Sequence, residues 1–280
     1  MLQVCQIQPT SLAKVGILFY TALLGQRQSV RTAILFQAIK DFFVNRKQRK
    51  LEKNSALVKN AKAIREERYA AIEFLCGLDS PEQAIPGLLH RFDFSLEHGI
   101  NDTKEKEMSM DGILKHGSAA LPFVTEHLKK SDRIAWPLKI LYKIGTEDQI
   151  VATLQNALNF SDVSFDRSAV DKNYDIICYL REHQLGSYID KLGHFLQDHD
   201  ERVRFATVEA LIEQKDASIP ARLEGFLADD SAENRRIRKS VLDAFLTHGW
   251  TLKNPQVFPN GQVIDGISIN ASNKLERAGR

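Results

Sequence analysis

An octad returns in this chain. Arg68-Tyr-Ala-Ala-Ile-Glu-Phe-Leu75 and Arg204-Phe-Ala-Thr-Val-Glu-Ala-Leu211 share their Arg, Ala, Glu and Leu positions, and a proline of an Ile-Pro pair (Ile85-Pro86, Ile219-Pro220) follows 16 to 18 residues after each Arg. Helical periodicity between the copies predicts further units, with first-helix starts 29 to 37 residues apart. A period of this length means a stack of helical hairpins, because one hairpin cannot bury its apolar face alone. Such arrays are binding surfaces far more often than active sites.

The spacing predicts helix pairs at 66–77 with 81–91, 103–115 with 118–129, and 132–144 with 147–158. It continues with 167–183 and 186–197, then 200–213 and 217–228, and ends on a single helix at 232–248. Pro81 follows Asp79-Ser80 at a helix start, where its missing N–H costs nothing. Asp200 is placed to cap the helix after it, and Ser231 opens the last one. Gly145, Gly186 and Gly249 stand where helix ends favour a left-handed residue. Beyond Asn254-Pro255 the pattern changes. Val263, Ile264 and Ile267–Ile269 are β-formers, and Asn270–Asn273 can turn the chain into Lys274-Leu275-Glu276. This reads as a short hairpin covering the last helices, since a lone hairpin is only marginally stable.

Leu196-Gln-Asp-His-Asp-Glu-Arg-Val-Arg-Phe-Ala-Thr-Val-Glu-Ala-Leu211 resembles the HEAT-repeat consensus in its bacterial form: an Asp-containing turn, then Val-Arg, then Ala and Ala-Leu on one face. Weaker copies surround Arg68, Trp136 and Ile237, while 103–129 and 133–158 lack the Val-Arg signature. The resemblance covers residues 66–248. It implies an all-α, right-handed α-solenoid of HEAT-like helix pairs, closed by the C-terminal β-hairpin, whose second helices line a concave partner-binding face. Three functional families with HEAT-like repeats serve as tests. Deoxyhypusine hydroxylases hold iron through His-Glu pairs, whereas here the order is reversed in Glu97-His98, Glu126-His127 and Glu182-His183. Alkylpurine DNA glycosylases present a basic, Trp-lined face. Bilin lyases of the HEAT type are chaperone-like and have no sharp motif to compare.

Charge divides the chain. Residues 1–65 hold 12 Lys or Arg against Asp41 and Glu52, a balance of +10; the remaining 26 bases and 34 acids leave −8. An acidic body argues against nucleic acid as partner and for a basic protein or peptide. The organisation expected is a poorly structured extension (1–30), a basic amphipathic arm (31–65), the helical array (66–250) and a tail (251–280). The apolar run Val15–Gly25 is too short to span a bilayer; a signal-peptide core, though no small-x-small cleavage site follows, and an acid-free organelle transit segment stand beside the preferred reading of an extension. In the arm, Leu35, Ala38, Ile39, Phe42 and Phe43 share one helical face, and Arg46, Lys47, Arg49, Lys50 and Lys53 follow. A basic amphipathic helix of this kind caps the first hairpin, lies on an anionic membrane, or meets nucleic acid or another partner.

Other chemistry is sparse. Cys5, Cys76 and Cys178 have no paired spacing, which points to a reducing compartment, the cytoplasm, without a disulfide or zinc framework. His194 and Asp198 stand i, i+4 with His199 and Asp200 beside them, a pattern that helix capping explains as well as metal binding does. Trp136 is a candidate ligand contact, with packing between units as the plainer reading, and Trp250 is expected under the hairpin. Arg235-Arg236-Ile-Arg238-Lys239 lies among acids that i, i+4 pairing would satisfy. The expectation is an adaptor without catalysis or cofactor, with a HEAT-like DNA-binding or base-excision enzyme or a bilin-lyase-like chaperone as alternatives.

Overall fold

The computed structural model describes residues 44–161, 166–229, 231–257 and 266–277. It is mostly helical with one small antiparallel sheet. A first helix, α1, occupies residues 44–59. There follow α2 (Arg65–Cys76), α3 (Pro81–Leu89), α4 (Gly99–Leu114), α5 (Leu121–Lys130), α6 (Ala135–Ile144), α7 (Glu147–Ala157), α8 (Arg167–Leu180), α9 (Ile189–Leu192), α10 (Glu201–Ile212), α11 (Ile219–Leu223) and α12 (Arg235–His248). Strands β1 (Ile267–Ile269) and β2 (Leu275–Arg277) close the order.

The first helices pack on one another: α2 on α4, α4 on α6, α8 on α10, α10 on α12. The second helices do the same, α3 against α5 and α5 against α7. One continuous apolar core, from Val58 through Leu128 and Leu180 to Leu275, runs between the two sets. Close approach is possible because of residues such as Gly112. A Cβ there would stand 2.4 Å from Cys76 Sγ and 3.0 Å from Leu88 Cδ1, so only glycine lets α4 lie against α2 and α3.

Helix starts follow local chemistry. Asp200 accepts from the Arg202 N–H, and Asp166 caps α8 through Ser168 and Ala169. Thr146 and Gln149 form a reciprocal capping box on α7. Pro81 takes the first position of α3 as expected, but the Ser80 hydroxyl turns to Glu82 instead of capping.

Several sequence expectations need correction. Gly145 is extended (φ −90°, ψ 151°), not left-handed, because the chain passes directly from α6 into the Thr146 cap. Gly186 has φ +53° but opens a 3-10 turn, six residues after α8 ends. Gly249 ends α12 in the left-handed region (φ 62°) as expected. The helices expected at 186–197 and 217–228 are broken: α9 is one turn between 3-10 segments, and α11 passes into a 3-10 turn at Glu224–Leu227. Gly193 and Gly225 stand at these changes, and glycine's weak helix propensity favours the tighter turns. The last helix starts at Arg235 rather than 232, because Ser231 Oγ holds the Asn234 N–H in a preceding turn.

The ends are closed as follows. Val58 of α1 is fully buried, and Leu51 and Leu57 pack on the same core, so the C-terminal half of the arm belongs to the folded body. At the other end, β1 pairs with β2 (Ser268 opposite Glu276), Ile267 and Leu275 are buried, and β2 contacts α12. The Leu252 N–H donates to the Asn273 carbonyl, tying the tail to the hairpin. Expectations for residues 1–43, including Phe42 and Phe43, and for Val263 and Ile264 lie outside the described residues.

Candidate functional site

Arg68 and Arg204 open the two copies of the octad. Each is the fourth residue of its helix and each is buried (Arg68 3% exposed, Arg204 8%). Arg68 Nη1 donates to the Ala63 carbonyl at 2.9 Å and, more weakly, to Asn60 and Ala61. Its other side meets Glu105 of α4 in a fork, Nε at 2.7 Å and Nη2 at 3.0 Å. Arg204 Nη1 donates to the Asp198 and His199 carbonyls, and its far side reaches Glu233 (2.6 Å) and Asn234 before α12. The octad arginine is therefore a brace that ties the turn before its helix to the next first helix.

A groove of about 530 Å3 lies between α8 and α10. Its floor is Tyr174, Cys178, Phe205 and Ala206, and its rim carries Arg181, Glu182, Glu209 and Glu213. Arg181 bridges Glu209 at 3.3 Å and Glu213 at 3.5 Å, and Ser240 hydroxyl also bonds Glu209. Three carboxylates against one guanidinium leave the rim negative. The floor already receives a cation: the Arg236 guanidinium sits 3.8 Å from the Phe205 ring centroid and pairs with Glu201. Burial pushes the Cys178 thiol up, so it is neutral and a poor nucleophile at pH 7. The basic patch at Arg235–Lys239 is thus partly neutralised across to α10, where i, i+4 pairing was expected.

A second groove, about 430 Å3, runs between the second helices α3 and α5. Pro86, Leu89 and Phe123 make it apolar, and His90, Asp93, His127 and Ser131 gather at one end. Asp93 stands 3.3 Å from both His90 Nδ1 and His127 Nε2 and accepts from Ser131 Oγ at 3.2 Å. Burial alone pushes Asp93 up, but the His90 hydrogen bond and the His127 charge outweigh it, and its carboxyl ends below the usual range. Burial holds the His127 imidazole below its ordinary value, against the pull of Asp93.

A third polar chain links α6, α7 and the segment after α8. Tyr142 Oη lies 3.0 Å from His183 Nε2, and His183 Nδ1 bonds Glu147. Burial, reinforced by Glu182, Tyr179 and Glu147, pushes the Tyr142 phenol up to about 12. It stays protonated at neutral pH and works as a hydrogen-bonding strut. Residues so far apart in sequence gave no signal that they would meet.

The sequence-derived candidates fall elsewhere. Trp136 stacks on Phe92 (centroids 6.1 Å apart, planes 6° apart) with Lys139 4.2 Å over its ring, and it lines neither groove. Arg46, Lys47, Arg49 and Lys53 are exposed on α1, while Lys50 lies 4.5 Å over the Phe74 ring. His194 packs edge-on to Phe195 and beside Phe160, and Asp198 accepts from the Asp200 N–H, so the two do not converge. Among the described residues no three His, Cys, Asp or Glu are placed to hold a metal, and no helix is long and apolar enough to cross a membrane. Trp250 meets Phe245 edge-on and stacks on His248.

No protein-family model, no curated protein and no solved structure matches this chain.

Proposed function

We propose that this protein is a non-catalytic adaptor, an α-solenoid of HEAT type that binds a basic segment of a protein partner. The observation that carries this reading is the α8–α10 groove, an aromatic floor under three carboxylates. A Lys or Arg side chain would pair with Glu182 or Glu213 while its stem, or a neighbouring apolar residue, lies on Tyr174 and Cys178 beside the Arg236-covered Phe205. Two facts support the solenoid: first helices stack on first helices, and Arg68 and Arg204 brace their turns in the same way. In this reading the partner docks on the first helices, whereas the resemblance implied the second.

The test is peptide selection followed by titration. Wild-type protein should enrich Lys- and Arg-rich peptides from a random library, with affinity falling as salt rises. The exposed-rim variant Glu182→Lys/Glu213→Lys should lose at least about tenfold, or roughly 1.4 kcal/mol. Enrichment of acidic peptides, or equal binding by the variant, overturns the reading.

A second reading is favoured by one observation: Arg46, Lys47, Arg49 and Lys53 are exposed on α1 without an acidic partner among the described residues. That face suits an anionic membrane surface, each base adding about 1 kcal/mol. Vesicles of phosphatidylserine and phosphatidylcholine should bind the protein, and Arg46→Gln/Lys47→Gln/Arg49→Gln should release it. Equal affinity for pure phosphatidylcholine vesicles sinks the idea.

A further inference from the structure

A different surface draws attention through its buried charge. Arg68, Arg91 and Lys106 are each at most 5% exposed, and two carboxylates meet them. Glu105 takes both arginines, through Arg68 Nε and Arg91 Nε at 2.7 Å each. Asp102 takes Arg91 Nη2 and Lys106 Nζ, also at 2.7 Å. Three cations against two anions leave one positive charge in excess. Phe94 offers its ring face to Arg91 at 4.5 Å and to Arg68 at 6.0 Å, a weak compensation only. Buried charge without a counter-charge is costly, so an excess of this kind calls for an anion.

Arg68 of this cluster also lines a cleft. The cleft, of about 500 Å3, is lined by Ala61, Ala63, Arg65, Arg68, Ser95, Leu96, Glu97, His98 and Asn101. Ser95 is exposed, yet its hydroxyl oxygen sits between two cations, 3.3 Å from Lys106 Nζ and 3.1 Å from Arg133 Nη1. A neutral hydroxyl occupies the position where two positive groups converge. Arg65 adds a third, exposed cation with no carboxylate partner among the described residues. The start of α4 stands on the same wall, and no side chain caps it, so its first N–H groups add donors. Glu97 is the one acid in the lining, and it is exposed.

We propose that this cleft binds a phosphate-class oxyanion, held by Arg65 and the Ser95 hydroxyl of its lining, with Arg133 and Lys106 behind Ser95 adding positive charge. A dianion suits the cleft better than a monovalent carboxylate, because positive charge gathers around Ser95 and Arg65 from three elements: α2, α4 and the segment before α6. The anion completes the charge count of the buried cluster and ties α2, α4 and the 131–134 turn together. The site is distinct from the α8–α10 groove and shares no residue with it.

Isothermal titration with inorganic phosphate tests this at low ionic strength, with chloride as the control ion. Saturable one-to-one binding by wild-type protein is expected, together with a rise in melting temperature that chloride at equal ionic strength does not give. Arg65→Gln/Arg133→Gln removes two exposed cations and leaves the buried cluster intact; it should bind phosphate at least about tenfold more weakly at an unchanged melting temperature without phosphate. A phosphoserine peptide is the second arm. If it binds more tightly than free phosphate, and its unphosphorylated form does not bind, the anion is carried by a protein partner; equal affinity assigns the site to a small soluble phosphate. Absence of saturable binding, equal binding by the double variant, or an equal effect of chloride overturns the proposal. Because Glu182 and Glu213 are untouched, its failure leaves the peptide-groove reading standing, and the reverse.

Discussion

Arg68 and Arg204 occupy the same place in two parts of the molecule and live in different surroundings. Both brace a turn through backbone carbonyls, and both reach an acid near the next first helix. Glu105 lies inside α4, 2% exposed, and serves two arginines. Glu233 lies in the turn before α12, 65% exposed, and serves one. The cause is where the next helix begins. Helix α4 starts at Gly99, so its acid is already within the helix and pressed between α2 and the Arg91 segment. Helix α12 starts late, at Arg235, which leaves its acid in an open turn. One residue in one register thus builds a buried two-arginine ion cluster at one end and a clasp with an exposed acid at the other. The clefts beside them differ to match. The first is lined by Arg65 and Arg68 against Glu97; the second, about 560 Å3, by Arg204 and Arg222 against Asp198, Asp229 and Glu233.

The largest effect separates the two acids. Glu105→Ala leaves Arg68 and Arg91 buried without their carboxylate and should cost about 3–5 kcal/mol in urea denaturation. Glu233→Ala removes an exposed carboxylate and leaves Arg204 its backbone carbonyls and Asn234, so it should cost no more than about 1 kcal/mol. Equal costs would break the comparison.

Packing gives the next contrast. Gly112→Ala forces a Cβ to within 2.4 Å of Cys76 Sγ, and should cost about 1–3 kcal/mol despite alanine's better helix propensity. Gly225→Ala, beside the second cleft, meets nothing within 4 Å and should leave the stability within about 0.5 kcal/mol of wild type. Melting curves of the two variants decide whether the N-terminal half is the more tightly packed.

What the sequence shows follows the same division. Helix pairs are legible because Pro81, Asp200 and Gly249 act locally, on the backbone next to them. The hairpin is legible because Asn270–Asn273 turns between β-formers; Asn273 takes φ 57°, which asparagine tolerates. The octad arginines are legible as letters that return. Their partners are not. Glu105 stands in Lys104-Glu105-Lys106-Glu107, a run that reads as a solvated face, and only the approach of α2 and the Arg91 turn buries Glu105 and Lys106. Glu182, Glu209 and Glu213 form one rim only after α8 and α10 are packed, so the acidic balance of the body was readable and the groove was not.

The smallest contrast concerns acid. Asp102 and Asp229 stand in the two halves, and both carboxyls lie below their ordinary value. For Asp102, burial pushes upward, but the hydrogen bonds from Lys106, Arg91 and the Leu96 N–H win. For Asp229, the Ser231 and Asn234 hydrogen bonds dominate, with little burial to oppose them. A carboxyl lowered in the folded state binds fewer protons there than in the unfolded chain. Its stabilisation is therefore complete above the unfolded value near 3.8 and is lost as pH falls through the folded value. His127 acts at higher pH with the same sign. Burial lowers it, so between its folded value and 6.5 the unfolded chain takes up a proton that the native state refuses, and stability falls as pH drops through that window. Stability measured from pH 7.5 to 3 should then decline in two stages. His127→Gln should flatten the upper stage and, because its charge helps hold Asp93 low, trim the lower stage slightly. Asp229→Asn should trim the lower stage slightly, and Asp102→Asn should trim it more, because Asp102 answers two buried cations. If the Asp229 variant changes the lower stage as much as the Asp102 variant does, burial of the first cluster adds nothing to its electrostatics, and the contrast between the two halves is one of packing only.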